Sequence, residues 1–358
     1  MKILLINTVN LEANGISTFI INIAKQLVNK NLDVTILAPN EVDSNLMKSL
    51  KNDGIHLKEI SGRSSNLINY FIKLKRYLSY EKFDVVHVNG NSTTMAIELL
   101  AAKLAGVKLR IAHSHNTTTE HLFVNKLLRP IFEYSVNGRL ACNDAAGKWL
   151  FKRKKFSIIR NGIDLDKYKY SLEQRKKIRE KLGIKSNQKL LGHIGYFNYQ
   201  KNQIFLVHVL KMLPNDYKLI FIGEGDDLEN VKAEVDKYNL KDRIIFTGNI
   251  TNVSDYLSAI DLFLLPSRFE GQPFVLIESS ASGLKNIVSD RVSVETNLCK
   301  NNIYVNLTNI DAWVNAIKEA TVSDRYECCL KYSSILKNRG YDNYKNVYKV
   351  LNFYRKML

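Results

Sequence analysis

The chain has 358 residues, of which 45% are hydrophobic and 24% are charged. This length is too great for one ordinary α/β core and suits two, and the composition is that of a globular protein. The sequence turns polar at Asn7 and contains no apolar run near the roughly 20 residues that cross a bilayer, so neither a signal-peptide core nor a membrane span is expected.

The net charge of +17 favours an anionic partner, which could be a phosphorylated ligand, an acidic membrane surface or nucleic acid. The basic residues are spread along the chain without a recognised nucleic-acid-binding motif, so we expect no nucleic-acid partner. The four cysteines show neither metal-ligand spacing nor a disulfide framework, which predicts reduced thiols in a cytoplasmic protein.

In the first half, short aliphatic and β-branched runs alternate with helical periodicity, which predicts a parallel sheet wrapped by helices. The helix between the first two strands is the clearest, because apolar residues from Ile16 to Leu27 recur at helical spacing. The predicted strands are Lys2–Ile6, Asp33–Leu37, Ile55–Ile60, Val85–Val88, Leu109–Ala112 and Arg139–Cys142.

The second half repeats the pattern, and four of its five strand-like runs are followed directly by Gly or Pro. A doubly wound sheet places its ligand-binding turns at such positions. The predicted strands are Leu190–Ile194, Leu219–Ile222, Ile244–Thr247, Leu262–Leu265 and Asn286–Ser289. The sequence predicts two Rossmann-like domains, residues 1–165 and 166–340, that face a central cleft. The last segment, 341–358, is predicted to be a helix that crosses back to the first domain.

The most specific motif spans residues 266–283, with the sequence PSRFEGQPFVLIESSASG. Two carboxylates, Glu270 and Glu278, stand eight residues apart, and a Gly-x-Pro turn follows the first of them. Because a helix is predicted to begin near Pro273, its first backbone N–H groups are available to an anion or to sugar hydroxyls. Glu278 lies about one turn into that helix, on a face that can reach the same ligand.

This segment resembles the donor-binding signature of the retaining family 4 glycosyltransferases, which have the GT-B fold. The segments 14–18, 161–164, 195–202 and 223–225 resemble other loops of that family, and the closest patterns are those of bacterial enzymes that assemble capsular, exopolysaccharide and other envelope glycans. The resemblance implies a metal-independent hexosyltransferase that moves a hexose or N-acetylhexosamine with retention of configuration. The donor would be a nucleotide-diphosphate sugar, with a UDP-sugar expected first, and the acceptor a glycan, a lipid-linked or a protein-linked molecule. The first domain would bind the acceptor and the second the donor.

The resemblance also implies roles for individual residues. Glu270 would contact hydroxyls of the donor sugar, and Glu278, an acceptor-only carboxylate, would bind the ribose hydroxyls. Lys201 would neutralise the departing diphosphate. Gly15 would let the backbone of the first domain approach the phosphates, because a side chain there would block it. The remaining donor-binding positions are Gly223, Gly271, Gln272, Pro273 and Phe274.

Two departures from the family pattern concern the diphosphate. Tyr196 stands where the family usually has Arg, and the first loop has one glycine, Gly15, where many relatives have two. Arg160 and Arg268 are the cations considered as substitutes for the missing Arg.

Two histidines, His113 and His115, follow a predicted strand of the first domain. A histidine at a strand end can donate a hydrogen bond to a sugar hydroxyl near the reacting carbon, and the resemblance favours His115 in that catalytic role. No carboxylate or third histidine follows at ligand spacing, so a metal pair is not expected. The Asp-x-Asp at Asp164 and Asp166 is interpreted as a turn or helix cap. No metal or organic cofactor is expected, since the nucleotide sugar is a substrate.

A basic run with aromatic neighbours predicts contact with an anionic bilayer at the inner face of the membrane. The residues concerned are Trp149, Phe151, Lys152, Arg153, Lys154 and Lys155. The second candidate is a basic amphipathic helix over 66–82.

Three other classes stay open. A nucleotide-sugar epimerase or a sugar phosphorylase shares the architecture, and slow release of free sugar plus nucleoside diphosphate would identify a transferase instead. A nicotinamide-dependent dehydrogenase would need Gly-x-Gly-x-x-Gly after a strand, a spacing that Gly195 and Gly223 do not complete. A basic nucleic-acid-binding protein would give a salt-dependent gel shift.

Overall fold

A computed structural model describes residues 1–12, 14–42, 44–117, 119, 122–270, 273–320 and 324–358. The chain divides into two compact units. Unit 1 contains Met1–Gly162 and Gly340–Leu358, and unit 2 contains Ile163–Arg339. Each unit is built on one parallel sheet with helices in the connections, which confirms the predicted class of two Rossmann-like folds.

Seven strands of the described part of unit 1 pair in parallel in the order β3-β2-β1-β4-β5-β6-β7. Six lie where the sequence predicts them, whereas β7 has two exposed residues and therefore no alternation to detect. The strands are β1 (Lys2–Asn7), β2 (Asp33–Ala38), β3 (His56–Glu59), β4 (Val85–Gly90), β5 (Leu109–Ser114), β6 (Gly138–Ala141) and β7 (Ser157–Ile158).

The helices of unit 1 follow from capping and from apolar periodicity. They are α1 (Gly15–Val28), α2 (Ser44–Asn52), α3 (Leu67–Glu81), α4 (Ala96–Leu104), α5 (Leu122–Leu127), α6 (Arg129–Ser135) and α7 (Asp144–Phe151). The Asn14 side chain caps α1 by accepting from the Ser17 N–H at 2.9 Å. The predicted helix over 66–82 is confirmed as α3, which Asn66 caps at its start and which Lys82, in a left-handed conformation, follows at its end.

In the described part of unit 2, six strands pair in parallel in the order β10-β9-β8-β11-β12-β13. The strands are β8 (Lys189–Ile194), β9 (Tyr217–Ile222), β10 (Ile244–Phe246), β11 (Leu262–Leu265), β12 (Lys285–Ser289) and β13 (Asn302–Val305). The first five confirm the predicted runs. The sequence pattern does not predict β13, since this edge strand is half-buried and alternates weakly. The helices are α8 (Leu172–Lys181), α9 (Gln203–Met212), α10 (Leu228–Lys237), α11 (Val253–Ala259), α12 (Phe274–Ala281), α13 (Ile310–Glu319) and α14 (Arg325–Asn338).

The last helix, α15 (Asn343–Met357), belongs to unit 1, as the sequence predicts. Its buried face, which includes Val347, Val350 and Tyr354, packs into the same core as α1 and the inner strands. The Asn343 side chain donates to the backbone carbonyl of Asn22 in α1 at 3.0 Å. Among the described helices, none combines the length and apolar character that crossing a bilayer requires.

Candidate active site

In unit 2 the strand order reverses between β8 and β11, and ligands bind outside the carboxyl ends of strands at such a switch point. The loop after β8 carries Lys201, and the loop after β11 carries Glu270. The two loops are joined by hydrogen bonds, one of which runs from the Arg268 N–H to the Gln200 carbonyl at 2.8 Å. The fold therefore brings two predicted site residues from separate loops to the same sheet edge.

Lys201 and Glu270 form a direct ion pair. The Lys201 Nζ lies 2.6 Å from Glu270 Oε1, and the Ser267 hydroxyl donates to the same oxygen at 3.2 Å. Both side chains are largely buried. The pair holds a cation and a charged hydrogen-bond acceptor side by side, which is the combination that a phosphorylated sugar needs. Ser267 is a partner that the sequence analysis missed, although it stands inside the motif.

The N-terminus of α12 lies directly after this pair. Pro273 is buried at the N-cap position, and Phe274 is the first helical residue. The first N–H groups of a helix have no intrahelical acceptor, so this terminus is suited to an anion or to hydroxyl groups. The predicted site residues Gly271 and Gln272 lie outside the described residues.

Glu278 is half-buried one turn into α12, and its carboxylate is held by a tyrosine. The Tyr168 hydroxyl donates to Glu278 Oε1 at 2.9 Å. Burial raises the pKa of Glu278 above its ordinary value, and the hydrogen bond from Tyr168 and the charge of Lys167 oppose that rise. Sequence reasoning missed Tyr168, because this residue lies just after the boundary between the two predicted domains and carries no periodic signal.

Gly223 and Gly225 allow two neighbouring loops to touch. Their φ angles of +136° and +151° are rarely adopted by other residues, and Gly223 donates from its N–H to the Gly248 carbonyl at 3.0 Å. A Cβ atom at position 225 would overlap the backbone of Phe197. These contacts explain both glycines by loop packing, and the donor-binding role of Gly223 stays a prediction.

The position of the missing Arg is occupied by an exposed Tyr196, whose hydroxyl donates to Asp226 Oδ1 at 3.0 Å. Arg268 stacks on the Tyr199 ring at 4.4 Å and donates to Asn202 Oδ1 at 2.9 Å. Its guanidinium group therefore lies against the loop that carries Lys201. The other candidate, Arg160, belongs to unit 1, where its guanidinium group lies 5.5 Å from the Tyr341 ring.

In unit 1, His115 follows β5 and is held at the carboxyl edge of the sheet. Its N–H donates to the Gly90 carbonyl at 3.1 Å, and its Nε2 lies 3.0 Å from Asn89 Oδ1. Burial lowers the pKa of His115 to about 3, with the Asn161 side chain opposing this shift. The imidazole is therefore neutral at pH 7, with one ring nitrogen able to donate and the other to accept. Asn89, which the sequence analysis missed, was detectable as a polar residue at a strand end.

His113 lies deeper, in a buried row of aromatic groups. Its ring stacks on that of His115 with centroids 4.3 Å apart, and its Nδ1 lies 3.1 Å from His87 Nε2. His87 Nδ1 in turn lies 2.6 Å from the Tyr354 hydroxyl of α15. Burial lowers the pKa of both His87 and His113, which fits a structural role for His113.

Gly15 lies at the corresponding switch point of unit 1, where the strand order reverses between β1 and β4. It is the exposed first residue of α1, in the loop that follows β1. This position leaves its backbone accessible, as the predicted phosphate contact requires.

The predicted membrane contact is wrong for Phe151, which is fully buried between Phe132 and Phe156. Trp149 is half-buried against the same core. The physical reason is that α7 has one apolar face and buries it against the sheet, as a helix of this fold must. The four cations that follow are exposed: Lys152, Arg153, Lys154 and Lys155.

The interpretation of the Asp-x-Asp motif as a turn is confirmed. Asp164 Oδ1 accepts hydrogen bonds from the N–H groups of Asp166 and Lys167, both at 3.1 Å. Asp166 pairs with the Lys169 ammonium at 2.6 Å. Within the described ranges, no group of three or more histidine, cysteine, aspartate or glutamate side chains is arranged to hold a metal ion.

Comparison with known proteins covers nearly the whole chain. Residues 13–167 match the family model described as Glycosyltransferase Family 4, and residues 174–339 match that of Glycosyl transferases group 1. The putative glycosyltransferase EpsF of Bacillus subtilis is 29% identical over 288 residues, which span 76% of this chain and 74% of that protein.

A second relative is the UDP-Gal:alpha-D-GlcNAc-diphosphoundecaprenol alpha-1,3-galactosyltransferase of Escherichia coli, 28% identical over 309 residues, or 80% of this chain and 79% of that enzyme. Among solved structures, Anabaena HepE in complex with UDP superimposes with a TM-score of 0.79 at 17% identity, over 98% of this chain and 99% of that one. At this identity the likeness shows a shared fold.

Proposed function

The chain belongs to the GT-B glycosyltransferases in which a family 4 domain precedes a group 1 domain, and we propose that it uses a UDP-sugar to glycosylate a lipid-linked or polysaccharide acceptor of the bacterial envelope. Membership of the family confirms the resemblance drawn from the motifs. The observation that carries the proposal is the Lys201–Glu270 pair beside the N-terminus of α12, with Glu278 one turn further on.

We propose that unit 2 is the donor domain. Lys201 would neutralise the diphosphate, with the N-terminus of α12 as a second positive element. Glu270, paired with Lys201 and held by Ser267, would accept hydrogen bonds from hydroxyls of the donor sugar. Glu278 would accept from the ribose hydroxyls, and its orientation by Tyr168 supports that role.

We propose that unit 1 is the acceptor domain and that His115 acts from it. A neutral imidazole carries one N–H, which His115 directs from Nε2 to Asn89 Oδ1, and in the proposed role this N–H exchanges Asn89 for a hydroxyl near the reacting carbon. The proposal needs no change of charge on His115 between pH 6 and 8, which agrees with the lowered pKa.

The proposed chemistry is front-face displacement with retention. The acceptor oxygen bonds to the anomeric carbon while the bond from that carbon to the phosphate oxygen breaks. The acceptor proton passes to the departing phosphate oxygen, and UDP leaves. Lys201 and Arg268 supply positive charge at the diphosphate, which supports a reaction that needs no divalent metal.

The test is a product analysis with matched variants. Purified protein with UDP-galactose, UDP-glucose and UDP-N-acetylhexosamines should release UDP, and proton NMR of the glycosylated acceptor should show the anomeric configuration of the donor. Lys201→Ala and Glu270→Gln should each lower the rate at least about 100-fold, or 2.7 kcal/mol of barrier. An inverted product, or activity that EDTA abolishes and manganese restores, would contradict the retaining or the metal-independent part.

The acceptor also bears on where the enzyme works. The Escherichia coli relative acts on a diphosphoundecaprenol-linked sugar, as its name states. A similar acceptor for this chain places the reaction at the inner face of the membrane, with the protein as a peripheral partner of anionic lipid. The net charge of +17 supports that attraction.

A further inference from the structure

Helix α5 (Leu122–Leu127) is apolar and yet buries none of its side chains. Four of its six residues are hydrophobic, and Leu122, Phe123 and Leu127 have 67%, 79% and 65% of their surface exposed. Single exposed hydrophobic residues are ordinary, but a contiguous exposed cluster marks an interaction site.

A polar residue, rather than the apolar ones, holds α5 in place. Asn125 Oδ1 accepts from the Thr93 N–H at 2.8 Å, and the Thr93 hydroxyl donates to the Asn125 carbonyl at 2.6 Å. Thr93 begins the 3₁₀ turn that leads from β4 into α4. The helix is therefore anchored beside the strand end where Asn89 and Gly90 hold His115.

The first turns of α3 lie beside the same helix, α4, and also expose apolar side chains. The buried carboxylate of Glu98 in α4 accepts from the Tyr70 hydroxyl at 3.1 Å and from Arg63 Nε at 2.7 Å, which fixes the start of α3 beside the start of α4. There α3 exposes Ile68 and Ile72, at 77% and 53%. Helices that connect parallel strands begin at the carboxyl edge of the sheet, so α5 and the start of α3 flank α4 at the edge that carries His115.

Charge distinguishes between the partners that could cover this surface. Exposed cations lie along α3 and on α5: Lys73, Lys75, Arg76 and Lys126. A second copy of a chain with net charge +17 would bring like charges together, whereas an anionic bilayer attracts them, at about 1 kcal/mol for each cation near the surface. Exposed apolar side chains next to cations are the composition of interfacial helices.

We propose that the α5 surface, defined as Leu122, Phe123 and Leu127 with Ile68 and Ile72 of α3, inserts into the boundary between headgroups and acyl chains of an anionic bilayer. The role of this insertion rests on the proposed function, because a lipid-linked acceptor keeps its hydrocarbon chain in the membrane. The insertion would present the acceptor sugar to the sheet edge that carries His115.

The basic run lies elsewhere in unit 1. Lys152–Lys155 follows the end of α7 and precedes β7, which is parallel to β6. That connection lies at the amino-terminal edge of the sheet, opposite His115. The proposal therefore assigns lipid insertion to α5 and not to the run that the sequence singled out.

Co-sedimentation with phosphatidylglycerol and phosphatidylcholine vesicles tests the proposal. The wild type should pellet with the anionic vesicles only. The double variant Phe123→Ser/Leu127→Ser should lower the vesicle-binding constant at least about tenfold, because two apolar side chains are lost from the lipid contact. The matched control is Leu104→Ser, an exposed leucine at the far end of α4. That variant, and one with Lys152, Arg153, Lys154 and Lys155 all changed to Glu, should keep at least half of the binding.

Three results would overturn the proposal: unchanged pelleting of the double variant, equal pelleting on neutral vesicles, or a dimer in light scattering that Phe123→Ser/Leu127→Ser disperses. The last would assign the surface to a second copy. Calorimetry with UDP, which the double variant should bind like the wild type, separates this test from the proposed function. Failure of the wild type to bind UDP would reject the proposed UDP-sugar donor and would leave the vesicle result unaffected.

Discussion

The hydrogen bond from Tyr168 to Glu278 partly offsets the effect of burial on the Glu278 carboxylate. The carboxylate is half-buried, so burial alone would favour its neutral form, and the tyrosine hydroxyl counteracts that effect. A neutral acid is a poorer acceptor for ribose hydroxyls than a carboxylate. Tyr168 is therefore a positioning residue for the proposed nucleotide contact.

Two variants test this contact. Glu278→Ala should weaken UDP binding by about 1.5–3 kcal/mol, the range for a lost charged hydrogen bond. In Tyr168→Phe the hydrogen bond that lowers the pKa of Glu278 is gone, so its pKa rises further, and UDP affinity should begin to fall at a higher pH than in the wild type as the solution is acidified. Calorimetry between pH 5 and 8 measures both. Identical pH profiles for Tyr168→Phe and wild type would remove Tyr168 from the site.

Arg268 should replace the phosphate contact that Tyr196 cannot make. Its guanidinium group lies against the Lys201 loop, so Arg268→Ala should weaken UDP binding by about 1.5–3 kcal/mol while uridine, which lacks phosphate, binds unchanged. Arg160→Ala is the control, since Arg160 contacts Tyr341 in unit 1. Equal losses for UDP and uridine would mean that Arg268 supports the loop rather than the phosphate.

At the scale of elements, the loops after β8 and β9 depend on close backbone approach. Gly225→Ala places a Cβ against the Phe197 backbone at a φ of +151°, so strain and overlap should destabilise unit 2 by about 1–3 kcal/mol. Gly183→Ala is the control, because its φ is +65° and an added Cβ there meets nothing within 4 Å. Urea denaturation should show the larger shift for Gly225→Ala, and similar shifts in both variants would mean that φ strain alone matters.

Two helices of unit 1, α5 and α7, have similar apolar sequences but differ in whether the apolar side chains are buried. In α7 the aromatic Phe151 enters the core, whereas in α5 the apolar residues stay outside. Both helices are short and apolar, and the sequence of neither helix predicts which other residues will pack against it. In α7, Phe151 packs against Phe132 and Phe156, both of which lie outside the helix.

At the scale of the whole molecule, buried histidines should make the protein sensitive to acid. Burial lowers the pKa of four of them from the value of about 6.5 expected in the unfolded chain. The pKa falls to about 3 for His87, His115 and His193, and well below its usual range for His113. The unfolded state then binds more protons below pH 6.5, so the stability is fully present above that pH and is lost as the pH falls toward 3.

Each such histidine should contribute about 1.4 kcal/mol per pH unit to the loss, before most carboxylates titrate. Urea midpoints at pH 7, 6 and 5 measure the slope. His113→Gln should reduce this slope by the contribution of about one proton. His56→Gln, which alters an exposed histidine, should leave the slope unchanged. A flat profile from pH 7 to 5 would show that these rings are not buried neutral in solution.

Local pattern determined the strands, the capped helices and the segments that carry the site. Alternation and helical spacing report which face of an element is buried, and that information is contained in a few neighbouring residues. For this reason eleven strands, α1 and α3, and the motif with Glu270 and Glu278 were predictable, while β7 and β13, with weak burial contrast, were not.

Tertiary structure alone decided which side chains meet. Tyr168 and Glu278 are 110 residues apart, and His87 and Tyr354 are 267 apart. The Lys201–Glu270 pair, the burial of Phe151 and the exposure of α5 likewise depend on how loops and helices from distant segments pack. Sequence periodicity contains no information about contacts at such separation, because the partner of a buried face is determined only when the sheets and their crossovers assemble.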